Sequence, residues 1–357
     1  MRPKEYRIKE LLREKGLDGA IVSSPENFHY VTGFGGHQHT VSRQPGFTLA
    51  VMRADDKVPT HLTTMDFEAA TFRIKAAGLN FVVDPYDTWV GLKTWDEIAH
   101  GAVVPDKTAM ESSMDKLVQF MKACDLANKK VGIELDYLPV PYYKSLTEKF
   151  PEAEFVNISD LFVYARSVKQ PDEIEMFRKL CRIADHGFTE VSKIAKIGVS
   201  ERELVQCFRE DVIKSGFCAP SSWSMFSTGP SSARLTLPGD GVVKDGDVVK
   251  FDAGVNAEFD FYTTDTSRAW IIGNGDPALL KLKDRLYEGQ RRMIAAAKPG
   301  LPINELYHTA YDYVKEMFPC YRRGHQGHSI SMGPATAEAP YINASETRPL
   351  EAGMILA

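Results

Sequence analysis

A chain of 357 residues is long for one ordinary hydrophobic core and suits two domains. With 43 basic against 48 acidic residues the net charge is -5, so no excess of positive charge favours a nucleic acid or an anionic membrane as partner. The hydrophobic content of 43% is that of a soluble globular protein, and no apolar run approaches the roughly 18 residues of a membrane span. The N-terminal stretch reads as a charged amphipathic helix rather than a signal peptide. Five scattered cysteines at 124, 181, 207, 218 and 320, with no CxxC among them, read as buried reduced thiols in a cytoplasmic protein.

In chain order, the first half alternates helix and strand. A helix up to Gly16 feeds a strand at 20–22, and further strands are expected at 47–52, 80–83 and 130–134, with helices between. This pattern implies an α/β layer domain over residues 1–165. The connection 35–43, GGHQHTVSR, is unusually polar and reads as a solvated loop. The boundary falls at 166–174, where Pro171 at a first helical position is followed by Asp172 and Glu173, a strong helix start. Behind it Ile174, Phe177, Cys181, Ala184, Phe188 and Val191 recur at helical spacing and predict one long core helix, on which His186 is structural. Ser200 with Glu203 forms a capping box that opens a second helix ending near Gly216, and two more helices are expected at 277–297 and 303–317.

Between these helices lies a candidate hairpin. The turn signal at 244–247 precedes an apolar run ending at Asp252-Ala253-Gly254, and a second run, 259–264, leads to Asp265. If the runs pair, both carboxylates share one face and can serve a divalent cation as oxygen ligands. The structural alternative is that Asp252 caps a turn and Asp265 pairs with Arg268. Downstream, His325 and His328 form a His-x-x-His pair flanked by Gly324 and Gly327, which suits loop chemistry, since imidazole is the commonest nitrogen ligand for a transition metal.

The order Asp-x-Gly, Asp-x-x-Arg, Gly-His-Ser-Ile, Glu-Ala-Pro-Tyr-Ile and Leu-Glu-Ala-Gly-Met resembles the creatinase/prolidase/methionine aminopeptidase superfamily, the pita-bread metallohydrolases of peptidase family M24. The segment 24–34, SPENFHYVTGF, resembles their N-terminal domain. The resemblance implies an α+β pita-bread catalytic domain over 166–357 and a dinuclear divalent-metal site (Mn, Zn, Fe or Co), with Asp252, Asp265 and His328 matching three of its five ligands. It implies a homodimer whose loop 35–43 reaches the partner's site, where Arg43 would hold a substrate carboxylate and His37 or His39 would take the place of a prolidase histidine. Arg322 matches a second creatinase arginine and, with Arg43, would clamp a small carboxylic acid. Glu338 and His325 are the candidate catalytic groups, Glu338 as a proton shuttle.

Departures from the pattern are as informative. Thr236 and Ala337 stand where the peptidases of this superfamily carry histidines, and Asp252 and Asp265 lie a residue pair further apart than in a prolidase-like hairpin, which suggests a bulge or longer turn. The sequence stops at Ala357 inside an apolar strand, just before the first ligating glutamate the resemblance implies, so truncation is expected. The reading is a cytoplasmic metal-dependent hydrolase of a C–N bond in a dipeptide or other small carboxylate-bearing substrate. The alternatives are a lyase acting alpha to a carboxylate, and a binding protein that lost the peptidase histidines.

Overall fold

The structure, a computed structural model, describes every residue except 1, 2, 90, 92, 104–106, 259 and 334–336. It divides into two compact units, Met1–Ala165 and Arg166–Ala357. This is the boundary expected from the proline-led helix start.

In the first unit six strands form one sheet in the order β4-β3-β2-β1-β5-β6. They are β1 (Gly19–Val22), β2 (Leu49–Arg53), β3 (Thr60–Thr63), β4 (Phe81–Val83), β5 (Lys130–Ile133) and β6 (Glu154–Asn157). The central strands are short continuous apolar runs, which suits a sheet covered on both faces. Its core joins Ile21, Leu49, Val51, Val131 and Ile133 to Leu117, Phe120 and Met121 of helix Ala109–Ala123. The α/β expectation holds, although β3 and β6 were not foreseen. Among the described residues, all of helix Pro25–Thr32 is buried, and its start is fixed from below. Glu134, 2% exposed, accepts from the Ser24 amide at 3.0 Å, the Ser24 hydroxyl at 2.5 Å and the Asn27 amide group at 2.5 Å. A buried carboxylate is tolerable only when saturated with donors in this way.

The second unit holds β7 (Cys218–Pro220), β8 (Met225–Thr228), β9 (Val248–Ala253), β10 (Val255–Ala257), β11 (Thr266–Ile271), β12 (His328–Ser329) and β13 (Glu338–Tyr341). Strands β11, β9 and β8 form an antiparallel sheet, while β10 pairs with β7 and β12 with β13. Helices Pro171–Ile194 and Glu201–Lys214 start at the proline and the Ser200–Glu203 capping box, as expected, and helices Pro277–Ala296 and Ile303–Met317 lie within a residue of their expected bounds. Strand β9 alternates, with Val249, Phe251 and Ala253 buried and Lys250 and Asp252 on the other face. Phe251 is locked edge-on by Phe226, ring centres 4.0 Å apart, and by Trp270 at 5.0 Å. This fixes which way Asp252 points.

Two expectations are corrected. The partner of β9 is not the run 259–264, whose first residue lies outside the described residues, but β11, which begins after Asp265. The cysteines are free, but only Cys124 and Cys218 are buried; Cys181 and Cys207 are half-buried and Cys320 is exposed. His186 lies on the open face of its helix, 64% exposed, with Nδ1 2.8 Å from Asp211 of the next helix. Among the described residues, no helix is long and apolar enough to cross a membrane.

Candidate metal centre

Asp252 lies opposite Ser267 in the β9–β11 register, so Asp265 is its diagonal neighbour two residues earlier on the same face. The intervening chain leaves the ladder instead of turning tightly. Gly254 follows β9, β10 crosses to β7, and the return is held by Val255 N–H to Thr264 Oγ1 at 2.9 Å and Thr264 N–H to the Val255 carbonyl at 3.0 Å. Only glycine fits at 254, because a Cβ there would lie 2.0 Å from the Thr264 carbonyl oxygen and 2.8 Å from the Trp223 ring. The wide Asp–Asp spacing is therefore a strand excursion that still returns both carboxylates to one face.

His328 is brought in by β12. Its amide donates to the Ala357 carbonyl at 3.0 Å and its own carbonyl accepts from the Ala357 amide at 2.9 Å. Gly327 permits this approach, since a Cβ there would stand 2.3 Å from the Ala357 oxygen. The ring is oriented from behind: Nδ1 is 3.1 Å from the Ser329 carbonyl, which can only accept, so Nδ1 carries a proton and Nε2 faces the acids. Nε2 lies 3.3 Å from Asp265 Oδ2, with side-chain exposures of 12% and 18%. Burial, the largest single influence, lowers the His328 pKa, but the hydrogen bond to Asp265, the Ser329 carbonyl and the charges of Asp265 and Asp252 together outweigh it and the net shift is upward. Asp252 is driven upward by burial and then by the charge and hydrogen bond of Asp265, as expected of two carboxylates sharing a site.

These groups line a cavity of about 530 Å³ with His325, Arg323 and Gln326. Arg322 was the expected substrate residue; both arginines are exposed, but it is Arg323, not Arg322, that lines this cavity. A one-residue difference decides which side of an extended segment a side chain takes, and no sequence signal separated the two. Arg323 Nε donates to the His325 carbonyl at 3.0 Å, and its charge acts on Asp252, Lys250 and His325. Arg268, also at the rim, is spent on Asp185 at 2.7 Å. The second alternative for Asp265, pairing with Arg268, is thus not what forms. His325 sits beside His328 with ring centres 5.9 Å apart, has its pKa lowered by burial and then by Arg323, and leaves Nδ1 buried without a partner.

The remaining candidates lie elsewhere. Glu338 does not line the cavity; its Oε1 accepts from Arg166 at 2.5 Å in a pair only 6% and 11% exposed. Its Oε2 is buried without a hydrogen-bond partner, and since neither oxygen reaches the cavity lining, the geometry does not place Glu338 to shuttle protons there. Lys169 is buried beside this pair, its Nζ 3.4 Å from Ser329 Oγ, and burial pulls its pKa down to about 8. Thr236 is on a loop whose ends are tied by Lys250 Nζ to the Arg234 carbonyl at 2.8 Å and by the Gly239 amide to buried Glu201 at 2.7 Å. In the first unit, His37 is exposed, Arg43 is paired with Glu26, and His39 is 2% exposed with its ring edge-on to Phe28.

The donor types, two carboxylates and an imidazole nitrogen with its far side fixed, fit a divalent cation. Among the described residues, however, no three His, Cys, Asp or Glu side chains converge closely enough to hold one as they stand. Three ligands also fall short of the four to six such ions take.

Comparison with known proteins gives the family and the fold. The Creatinase/Prolidase N-terminal domain model matches residues 6–168 and the Metallopeptidase family M24 model residues 175–357. Uncharacterized peptidase YqhT of Bacillus subtilis is 24% identical over 355 residues, spanning 98% of this chain and 88% of that protein. Uncharacterized peptidase SAS1635 of Staphylococcus aureus is 28% identical over 359 residues, spanning 98% and 89%. The structure of an Xaa-Pro dipeptidase from Bacillus anthracis superposes with a TM-score of 0.79 at 22% identity, covering 99% of this chain and 88% of that one, which establishes the shared fold. The M24 match over just over half the chain, with the creatinase/prolidase match over its N-terminal domain, places this chain in metallopeptidase family M24, as a hydrolytic enzyme with a creatinase/prolidase N-terminal domain.

Proposed function

We propose that the protein is a divalent-metal-dependent hydrolase of the C–N bond in a small, carboxylate-bearing substrate, either an Xaa-Pro dipeptide or a non-peptide amide or amidine. The observation that carries this reading is the cavity lined by Asp252, Asp265 and His328, with Arg323 at its wall. Asp252 and Asp265 would hold the cation through oxygen and His328 through Nε2. The cation would supply Lewis acidity at the scissile carbonyl. The chain's own residues supply the rest: the Ser329 carbonyl fixes the His328 ring, Arg323 offers positive charge to an anionic substrate, and His325, with a lowered pKa, can accept a proton near neutral pH. The same reading includes a cytoplasmic homodimer.

Thr236 and Ala337 in place of the peptidase histidines favour a non-peptide amide or amidine over a dipeptide within this class. The test is to compare kcat/KM for Ala-Pro and for creatine with Mn²⁺ present, and to measure bound metal in the wild type and in Asp265→Asn. Asp265→Asn is expected to lower bound Mn²⁺ at least about tenfold with the fold intact. Unchanged metal content would remove Asp265 from the site, and efficient Ala-Pro cleavage with no creatine turnover would restore a plain dipeptidase assignment.

A further inference from the structure

Asp265 and His328 come from segments that are far apart in sequence yet lie side by side in the second unit. Residues 261–263, just before Asp265, run against residues 331–333, just after His328. The Thr263 amide donates to the Ser331 carbonyl at 3.3 Å and the Gly333 amide to the Phe261 carbonyl at 3.1 Å, with an antiparallel bridge between Tyr262 and Met332. Phe261 has φ 63, a left-handed conformation that a bulky residue avoids and that persists only where its surroundings over-determine it. The ties to 331–333 are part of those surroundings.

Both segments are held from behind by the start of helix Pro171–Ile194. The Tyr262 hydroxyl donates to Glu173 Oε1 at 2.8 Å, and the Tyr262 ring stands edge-on to Phe177 with centres 5.6 Å apart. Both partners of that hydrogen bond are buried. Glu173 also closes the helix cap, its Oε2 accepting from the Gln170 amide at 2.9 Å, so the tyrosine is tied to a side chain that is itself fixed. Just before the cap, buried Lys169 donates through Nζ to the Ser329 hydroxyl at 3.4 Å and to the Ser167 carbonyl at 3.2 Å. One helix start thus touches the residue three before Asp265 and the residue after His328. Neither Tyr262 nor Lys169 lines the cavity.

We propose that Tyr262 and Lys169 are positioning residues, through which this helix start sets how Asp265 and His328 stand toward each other and hence how tightly they hold a cation. The proposal rests on the reading above that these side chains bind a divalent metal. A cation demands its ligands at closely defined separations, so groups that orient the ligand-bearing segments act on affinity without touching the metal. Loss of the Tyr262 hydroxyl changes no charge, so the Coulomb attraction for the cation is unaltered and a loss of affinity reports geometry. A purely structural tyrosine would behave differently: its removal would lower stability and leave the affinity of the folded protein alone.

The experiment is a Mn²⁺ titration of the full chain followed by electron paramagnetic resonance, in which the free ion gives the Kd and the bound signal reports the ligand geometry. It is run on the wild type, on Tyr262→Phe and on Tyr30→Phe, a control that removes a buried hydroxyl from the first unit. Tyr262→Phe is expected to raise the Kd by about tenfold and to alter the bound signal, while Tyr30→Phe matches the wild type in both. Should Tyr262→Phe fail to fold, Lys169→Arg, which keeps the charge but not the fit of the amine against Ser329, is expected to raise the Kd likewise. The proposal is overturned by an unchanged Kd and bound signal in the folded variant, by an equal loss in Tyr30→Phe, or by a wild type that binds no Mn²⁺, which takes the metal reading with it. Loss of Mn²⁺ in Asp265→Asn with flat Tyr262→Phe titrations sinks only the positioning. The expected titrations with neither Ala-Pro nor creatine hydrolysed sink the functional reading and leave the positioning standing.

Discussion

At the scale of single residues, burial decides what each histidine can do. His39 is buried and its pKa is pulled down to about 4, by loss of solvation first and against the helpful hydrogen bond to Ser23. The unfolded chain, titrating near 6.5, takes up a proton before the folded one does, so between pH 6.5 and 4 stability rises with pH and is lost as pH falls. At about 1.4 kcal/mol per pH unit, that window corresponds to about 3 kcal/mol. The measured quantity is the difference in unfolding free energy between wild type and His39→Asn across pH 4 to 7. The wild type is expected to lose more over this range, and parallel curves would contradict the assignment. The same scale shows what sequence could convey. That Asp252, Asp265 and His328 belong to one cavity was legible because Gly254, Arg268 and Gly327 near them make recognisable patterns. Arg323 and the engagement of Glu338 by Arg166 were not, because they depend on the facing of an extended segment and on a partner over a hundred residues away.

At the scale of elements, helices were readable almost to the residue because proline, capping boxes and apolar spacing are local signals. The strands around the acids were not. The run 259–264 has the residue types of a strand, yet the ladder on β9 belongs to Thr266–Ile271, because the chain first detours through β10 to pair with β7. That detour hinges on Gly254. Gly254→Ala is expected to destabilise by about 2–3 kcal/mol, the range for overpacking against backbone that cannot move. Gly324→Ala, where an added Cβ meets nothing within 4 Å, serves as the control and is expected to stay near wild type. Urea midpoints compare the two; equal midpoints would mean that the crossing at 254 is looser than its contacts indicate.

At the scale of the whole molecule, the sequence announced two domains through the alternation of strand and helix before residue 165 and the proline-led helix after it, and the chain divides there. Each unit has its own buried core. The candidate cation ligands lie in the second unit alone. A cation that binds only the folded form stabilises by about 2.7 kcal/mol at a hundredfold excess over its Kd. Thermal scans with and without Mn²⁺ are therefore expected to show the transition of residues 166–357 moving upward while that of residues 1–165 stays in place. This is read by mass-spectrometric hydrogen exchange in each unit. Equal protection of both units by Mn²⁺ would show that they unfold as one body, and protection of neither would speak against the metal reading.

The shared face of Asp252 and Asp265 also makes their cleft a strained part of the fold. Two carboxylates held together in a half-buried cleft repel each other and lose solvation, and an asparagine at either position would relieve both effects. The cleft therefore carries a cost, two crowded acids beside an oriented imidazole, that a bound cation would offset.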